Sequence, residues 1–102
     1  MPVVINQNKG IMTAALSGEI DHHTAKALRE DIDNAAQCAR PKRLVLDFSE
    51  VGFMDSSGIG LIMGRYRLTQ EWECQVELTG ASPSIARMIR LAGLGRLGIT
   101  GV

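Results

Sequence analysis

Between Leu44 and Tyr66 the apolar period of this chain changes, and that change restricts its fold more than any other feature. Leu44-Val45-Leu46-Asp47-Phe48 is a strand-like run. Ile59, Ile62, Met63 and Tyr66 then fall at i, i+3, i+4 and i+7, one face of an amphipathic helix running to about Thr69. Between the two lies Phe53-Met54-Asp55-Ser56-Ser57-Gly58-Ile59-Gly60. A strand is therefore predicted to hand over to a helix at a pair of serines on a turn facing water. A hydroxyl there can cap the helix, attack a substrate or accept a phosphate.

The rest of the chain repeats the alternation. Val3-Val4-Ile5 and Ile11 to Leu16 predict two strands joined by turn chemistry at Asn8-Lys9-Gly10, a hairpin ending at Gly18. Ala25, Leu28, Ile32, Ala35 and Ala36 form one apolar stripe of a first helix, with Arg29 and Asp33 four apart on it. Asp21 or His23 is its candidate cap. The unbroken run Leu44 to Leu46 predicts a strand covered on both faces. Cys74, Val76 and Leu78 alternate with polar residues, a half-buried strand. Ser82-Pro83 has the residue types of an N-cap and a first helical position. Ile85, Met88, Ile89 and Ala92 make the stripe of that third helix, and Gly93 stops it. Leu97 to Thr100 predicts a last short strand. The order β-β-α-β-α-β-α-β implies an α/β fold with a mixed, mostly parallel sheet, helices packed on it, and one domain over residues 1–102.

Bulk properties exclude several classes. Lys+Arg and Asp+Glu number 11 each, so no net field draws in nucleic acid or anionic membrane. One Trp, one Tyr and two Phe are too few for a base-stacking platform. Met1-Pro2-Val3-Val4-Ile5 lacks the basic start and long apolar stretch of a leader. No apolar run approaches the roughly 18 residues that span a bilayer. These features together predict a cytoplasmic location, with Cys38 and Cys74 as free thiols and small apolar core residues.

The enzymatic readings are weak. A nucleophile elbow needs Gly-x-Ser-x-Gly, but Met54 and Asp55 stand where the first glycine would be for Ser56 and Ser57. His22 and His23 lie upstream, and a small serine hydrolase would need a pocket that a chain of this length hardly holds. Gly58, Gly60 and Gly64 miss the dinucleotide spacing by one residue. Gly60 and Gly64 fall inside the helical pattern instead, where each costs about 1 kcal/mol relative to alanine. Such a cost suggests close packing or close approach by a partner. His22 and His23 are adjacent, so diverging side chains are expected, and no metal-ligand spacing accompanies them. Ser56-Ser57 is most simply a capping pair. The sharper reading is a regulatory phosphate, which the free N–H groups of a helix start would accommodate.

Phe53-Met54-Asp55-Ser56-Ser57-Gly58-Ile59-Gly60, continuing to Gly64-Arg65-Tyr66, resembles the signature of the anti-sigma factor antagonists with the STAS fold. Gly18-Glu19-Ile20-Asp21-His22-His23-Thr24-Ala25 resembles their second signature, in the form of the sporulation branch that antagonises anti-sigma F factors. Ser82-Pro83 and Gly93-Leu94 also fall where that family has them. The resemblance covers nearly the whole chain.

It implies a binding protein that is not an enzyme. The unmodified antagonist binds an anti-sigma factor that is also a serine kinase, releasing the sigma factor. The kinase, holding ATP or ADP as its own cofactor, phosphorylates the serine after the aspartate, here Ser56, and a PP2C-type phosphatase resets it. The antagonist itself carries no cofactor, metal or catalytic residue. On this mapping Ser57 caps the helix. Asp21, His22 and His23 share a partner-binding surface with Asp55, Ser57, Gly58 and Ile59. Alternatives within the fold are a stress-response sigma pathway or a signalling scaffold. Relatives of this kind usually continue past the last strand into another helix, so a chain ending at Val102 is expected to leave apolar surface uncovered, which favours dimers.

Overall fold

The computed structural model describes residues 3–102. Met1 and Pro2, used above in the argument against a leader, lie outside the described residues. The elements are β1 (Val3–Asn8), β2 (Ile11–Ile20), α1 (Ala25–Ala39), β3 (Arg43–Met54), α2 (Ser56–Thr69), β4 (Gln75–Thr79) and α3 (Pro83–Leu91). Short 3₁₀ turns follow α2 at Gln70–Trp72 and α3 at Leu94–Leu97. The sheet order is β1-β2-β3-β4, with β1 antiparallel to β2 and the other pairings parallel. The predicted mixed sheet is thus present, and each parallel pair is joined through a helix.

Register explains why the molecule has two layers. Met12, Leu44 and Val76 are cross-strand neighbours, as are Ala14, Leu46 and Leu78, and all are buried. They form one core with Leu28 and Ile32 of α1, Leu61 and Ile62 of α2, and Ile85 and Ile89 of α3. The opposite face carries Thr13, Val45 and Glu77 in one row and Ala15, Asp47 and Thr79 in the next. None of these six is buried. The extents of 31 × 30 × 19 Å fit one sheet under one helix layer. Two-sided cover for Leu44 to Leu46 is therefore corrected: Val45 sits on the open face, because the helices share the other one.

The predicted last strand is also corrected. Leu94–Leu97 coils into its 3₁₀ turn, and Gly98 and Gly101 adopt φ of 87° and 82°, which breaks extension on either side. What remains is a single bridge. The Thr100 N–H donates to the Val76 carbonyl at 3.1 Å, and the Leu78 N–H to the Thr100 carbonyl at 2.8 Å. Two end signals held: Ser82 caps α3 by accepting from the Ile85 N–H, and Gly93 follows it with φ of 78°. Both thiols are free, but Cys38 is exposed and only Cys74 is a core residue.

Candidate functional site

β2 and β3 are parallel neighbours, and both run past the rest of the sheet. Register shifts after Ala15 and Gly18 let β2 continue until Ile20 lies opposite Met54. The Asp55 N–H then donates to the Ile20 carbonyl at 3.1 Å. The two turns that follow, Asp21–Thr24 and Asp55–Ser57, therefore leave the sheet side by side at the carboxyl end of its parallel strands. That edge is where open α/β sheets present their binding groups.

The first turn closes on itself. The Asp21 carboxylate accepts the backbone N–H of His23 at 2.8 Å and of Thr24 at 3.0 Å, while the Thr24 hydroxyl accepts the Asp21 N–H at 3.0 Å. Neither candidate caps α1: Thr24 holds the N-cap position without a side-chain cap bond, and the Asp21 carboxylate closes the turn that precedes it. The Thr24 N–H, foremost, holds the Asp21 carboxyl below the ordinary range, with His23 and His22 adding to the effect against partial desolvation. His22 and His23 are exposed, and their rings meet in a tilted contact with centroids 3.9 Å apart. The expected divergence fails because both lie in a turn, where neighbouring side chains need not alternate.

The second turn stays open. Asp55, in extended conformation, is the N-cap of α2, and its carboxylate accepts the Ser57 N–H at 2.8 Å. This corrects the expectation that Ser57 caps the helix: a cap must precede the first helical residue, and that place belongs to Asp55. Ser56 is the first helical residue and is exposed; Ser57 is half-buried. Gly58 faces inward, and a Cβ there would lie 2.2 Å from the Met54 side chain. Its contribution is the close approach of helix to strand. Ile59 is half-buried beside it.

Two features escaped the sequence reading. Phe53 is 51% exposed on the strand leading into the serine turn, paired with Glu19. Its signal was present in the run to Asp55, but the strand was expected to stop at Phe48. Arg65 is 5% exposed, and its guanidinium grips Asp33 of α1 through Nε at 2.5 Å and Nη2 at 3.1 Å, with Nη1 on the Leu61 carbonyl at 3.2 Å. The pairing of Arg29 with Asp33 read from spacing is replaced by this longer-range one. Burial pushes the Asp33 carboxyl up and the Arg65 guanidinium down in spite of their attraction. For this pair desolvation outweighs the Coulomb gain.

Asp55 is committed to the helix cap, and His23 faces Asp21 at 3.8 Å within its own turn. Neither orients the other toward a serine as a nucleophile would need. Among the described residues no helix is long and apolar enough to cross a membrane.

Comparison with known proteins points one way. A family profile described as STAS domain matches residues 2–99. The anti-sigma F factor antagonist of Paenibacillus polymyxa is 32% identical over 97 residues, covering 95% of this chain and 83% of that protein. The solved anti-sigma factor antagonist SpoIIAA in its unphosphorylated form superposes with a TM-score of 0.82 at 27% identity, over 98% of this chain and 88% of that one. The Bacillus cell fate determinant SpoIIAA in its phosphorylated form gives a TM-score of 0.74 at 28% identity, over 98% and 91%.

Proposed function

The chain belongs to the STAS domain family, among its anti-sigma factor antagonists, and from that membership we propose that its serine turn is a docking surface switched by phosphate. In the unmodified state the turn binds a cytosolic anti-sigma factor of the sporulation type that is also a serine kinase, and the sigma factor is released. The kinase uses ATP to phosphorylate Ser56. The modified protein lets go, and a PP2C-type phosphatase restores it.

The observation that carries this reading is the division of labour at the head of α2. Asp55 takes the cap, so the exposed Ser56 hydroxyl is not needed to hold the helix. A phosphate there would add about −1.5 to −2 charges. The N–H groups of the helix start and its positive dipole end accommodate that charge, so the fold tolerates it. A partner seated over Ser56, with Asp55 and Asp21 already nearby, does not. His22, His23, Ile59 and the exposed Phe53 supply the surrounding contact surface, with Ser57 at its inner edge.

The test is incubation with ATP-Mg and a serine-kinase anti-sigma factor of the sporulation type, followed by intact mass and peptide mapping. The expected result is a single phosphate on Ser56. Ser56→Ala should gain none and still bind. A phosphate on another residue, or none with an active kinase, overturns the proposal.

A further inference from the structure

We propose that the groove between α1 and α2, beside the serine turn, receives an acidic side chain of the anti-sigma partner; the inference rests on the docking reading above. A cavity of about 400 Å³ opens there, with Arg29 of α1 on one wall, Ser57 at its end, and Gly60, Gly64 and Arg65 of α2 on the other. It is continuous with the proposed surface through Ser57.

Charge selects the occupant. Arg65 already pairs with Asp33 and donates to the Leu61 carbonyl. Arg29 is exposed and, among the described residues, makes no ion pair. Its field nevertheless reaches both members of the buried pair, pulling the Asp33 carboxyl and the Arg65 guanidinium down. Two guanidinium groups against one carboxylate leave one positive charge unmatched at the groove. Asp55, at the serine end, points its carboxylate at the Ser57 N–H and does not answer it. A carboxylate arriving from a partner does.

The glycines explain the room. Neither Gly60 nor Gly64 has a positive φ, so alanine could occupy either helical position without strain. A Cβ at either place would meet nothing within 4 Å. The close packing that justifies a helical glycine is therefore absent inside this chain, and the space above them is left for atoms from outside. A phosphate on Ser56, next to Ser57 at the groove's end, competes for Arg29 and repels the visiting carboxylate, which connects the groove to the switch.

The test uses the unmodified protein, its Gly60→Ala, Gly64→Ala, Arg29→Ala and Arg29→Glu variants, and the ADP-loaded anti-sigma factor, by calorimetry at two salt concentrations. The glycine variants should melt at higher temperature than the original protein, yet bind roughly tenfold more weakly. Arg29→Ala should bind about 5- to 20-fold more weakly with less salt dependence, and Arg29→Glu more weakly still. Opposite signs for stability and binding at Gly60 and Gly64 are an outcome that a purely structural role cannot give. Full affinity in the glycine variants, or in Arg29→Glu, while the original protein binds, overturns the groove alone. Failure of the original protein to bind overturns the docking reading and the groove with it.

Discussion

The two turns at the carboxyl end of β2 and β3 start from the same local device and end in opposite states. Each begins with an aspartate whose carboxylate accepts the backbone N–H two residues on: His23 from Asp21, Ser57 from Asp55. In the first turn Thr24 answers, returning its hydroxyl to the Asp21 N–H and locking the loop. In the second the Asp55 N–H goes to the Ile20 carbonyl and no side chain returns to it, and Ser56 stands exposed as the first helical residue. A closed turn offers a fixed shape. An open one offers a hydroxyl that can change its charge without unravelling the helix beneath it. Placing the two side by side lets one surface be both preformed and switchable.

That contrast can be attacked experimentally, beginning where the largest effect is expected. Ser56→Asp should weaken binding to the anti-sigma factor by about 2–5 kcal/mol, the cost of an unpaired charge in an interface. Affinity equal to the unmodified protein, measured by titration, would refute the electrostatic account of the open turn. Next, Arg65→Met cuts the tie between α1 and α2 and strands Asp33. A loss of about 3 kcal/mol is expected in denaturant unfolding. Adding Asp33→Leu should recover most of it, since a buried pair replaced by apolar groups is close to neutral. If Arg65→Met is harmless, the pair does not tie α1 to α2.

Asp55→Ala removes the only side-chain cap of the open turn, for about 1 kcal/mol, or a Tm drop on the order of 4–8 °C. Hydrogen exchange should rise in the first turn of α2 and leave the Asp21 turn protected. The smallest effect concerns pH. The Asp21 carboxyl titrates below its unfolded value, so its hydrogen bonds stabilise the closed turn above about pH 4 and are lost as pH falls through the lower folded value. NMR titration should show the Thr24 amide moving below pH 4, a response that Asp21→Asn abolishes.

Much of this architecture could be read residue by residue. The i, i+3, i+4, i+7 spacing of Ile59, Ile62, Met63 and Tyr66 placed α2 to its last residue. The alternation around Val76 and Leu78 placed β4, and Ser82-Pro83 placed the start of α3. The candidate site was found by resemblance as well as by pattern, and its two halves do meet, because β2 and β3 are parallel neighbours of matching reach. The misses have a shared character. Ser57 lost the cap to Asp55 by two positions, since end signals fix a helix start only to within a residue or two. Cys38 lies outside because it falls off the apolar stripe of α1, and His22 packs against His23 because both sit in a turn that has no regular period.

Periodicity, capping and turn chemistry act over a few residues, so the order of strands and helices was written in the chain before any folding. Which face of the sheet the helices share, and that Arg65 would reach Asp33 instead of the solvent, depended on segments 32 positions apart meeting in space. The same holds for the exposure of Phe53 and for the empty room above Gly60 and Gly64. Burial and charge pairing are properties of neighbours in three dimensions, and no local pattern specifies those neighbours.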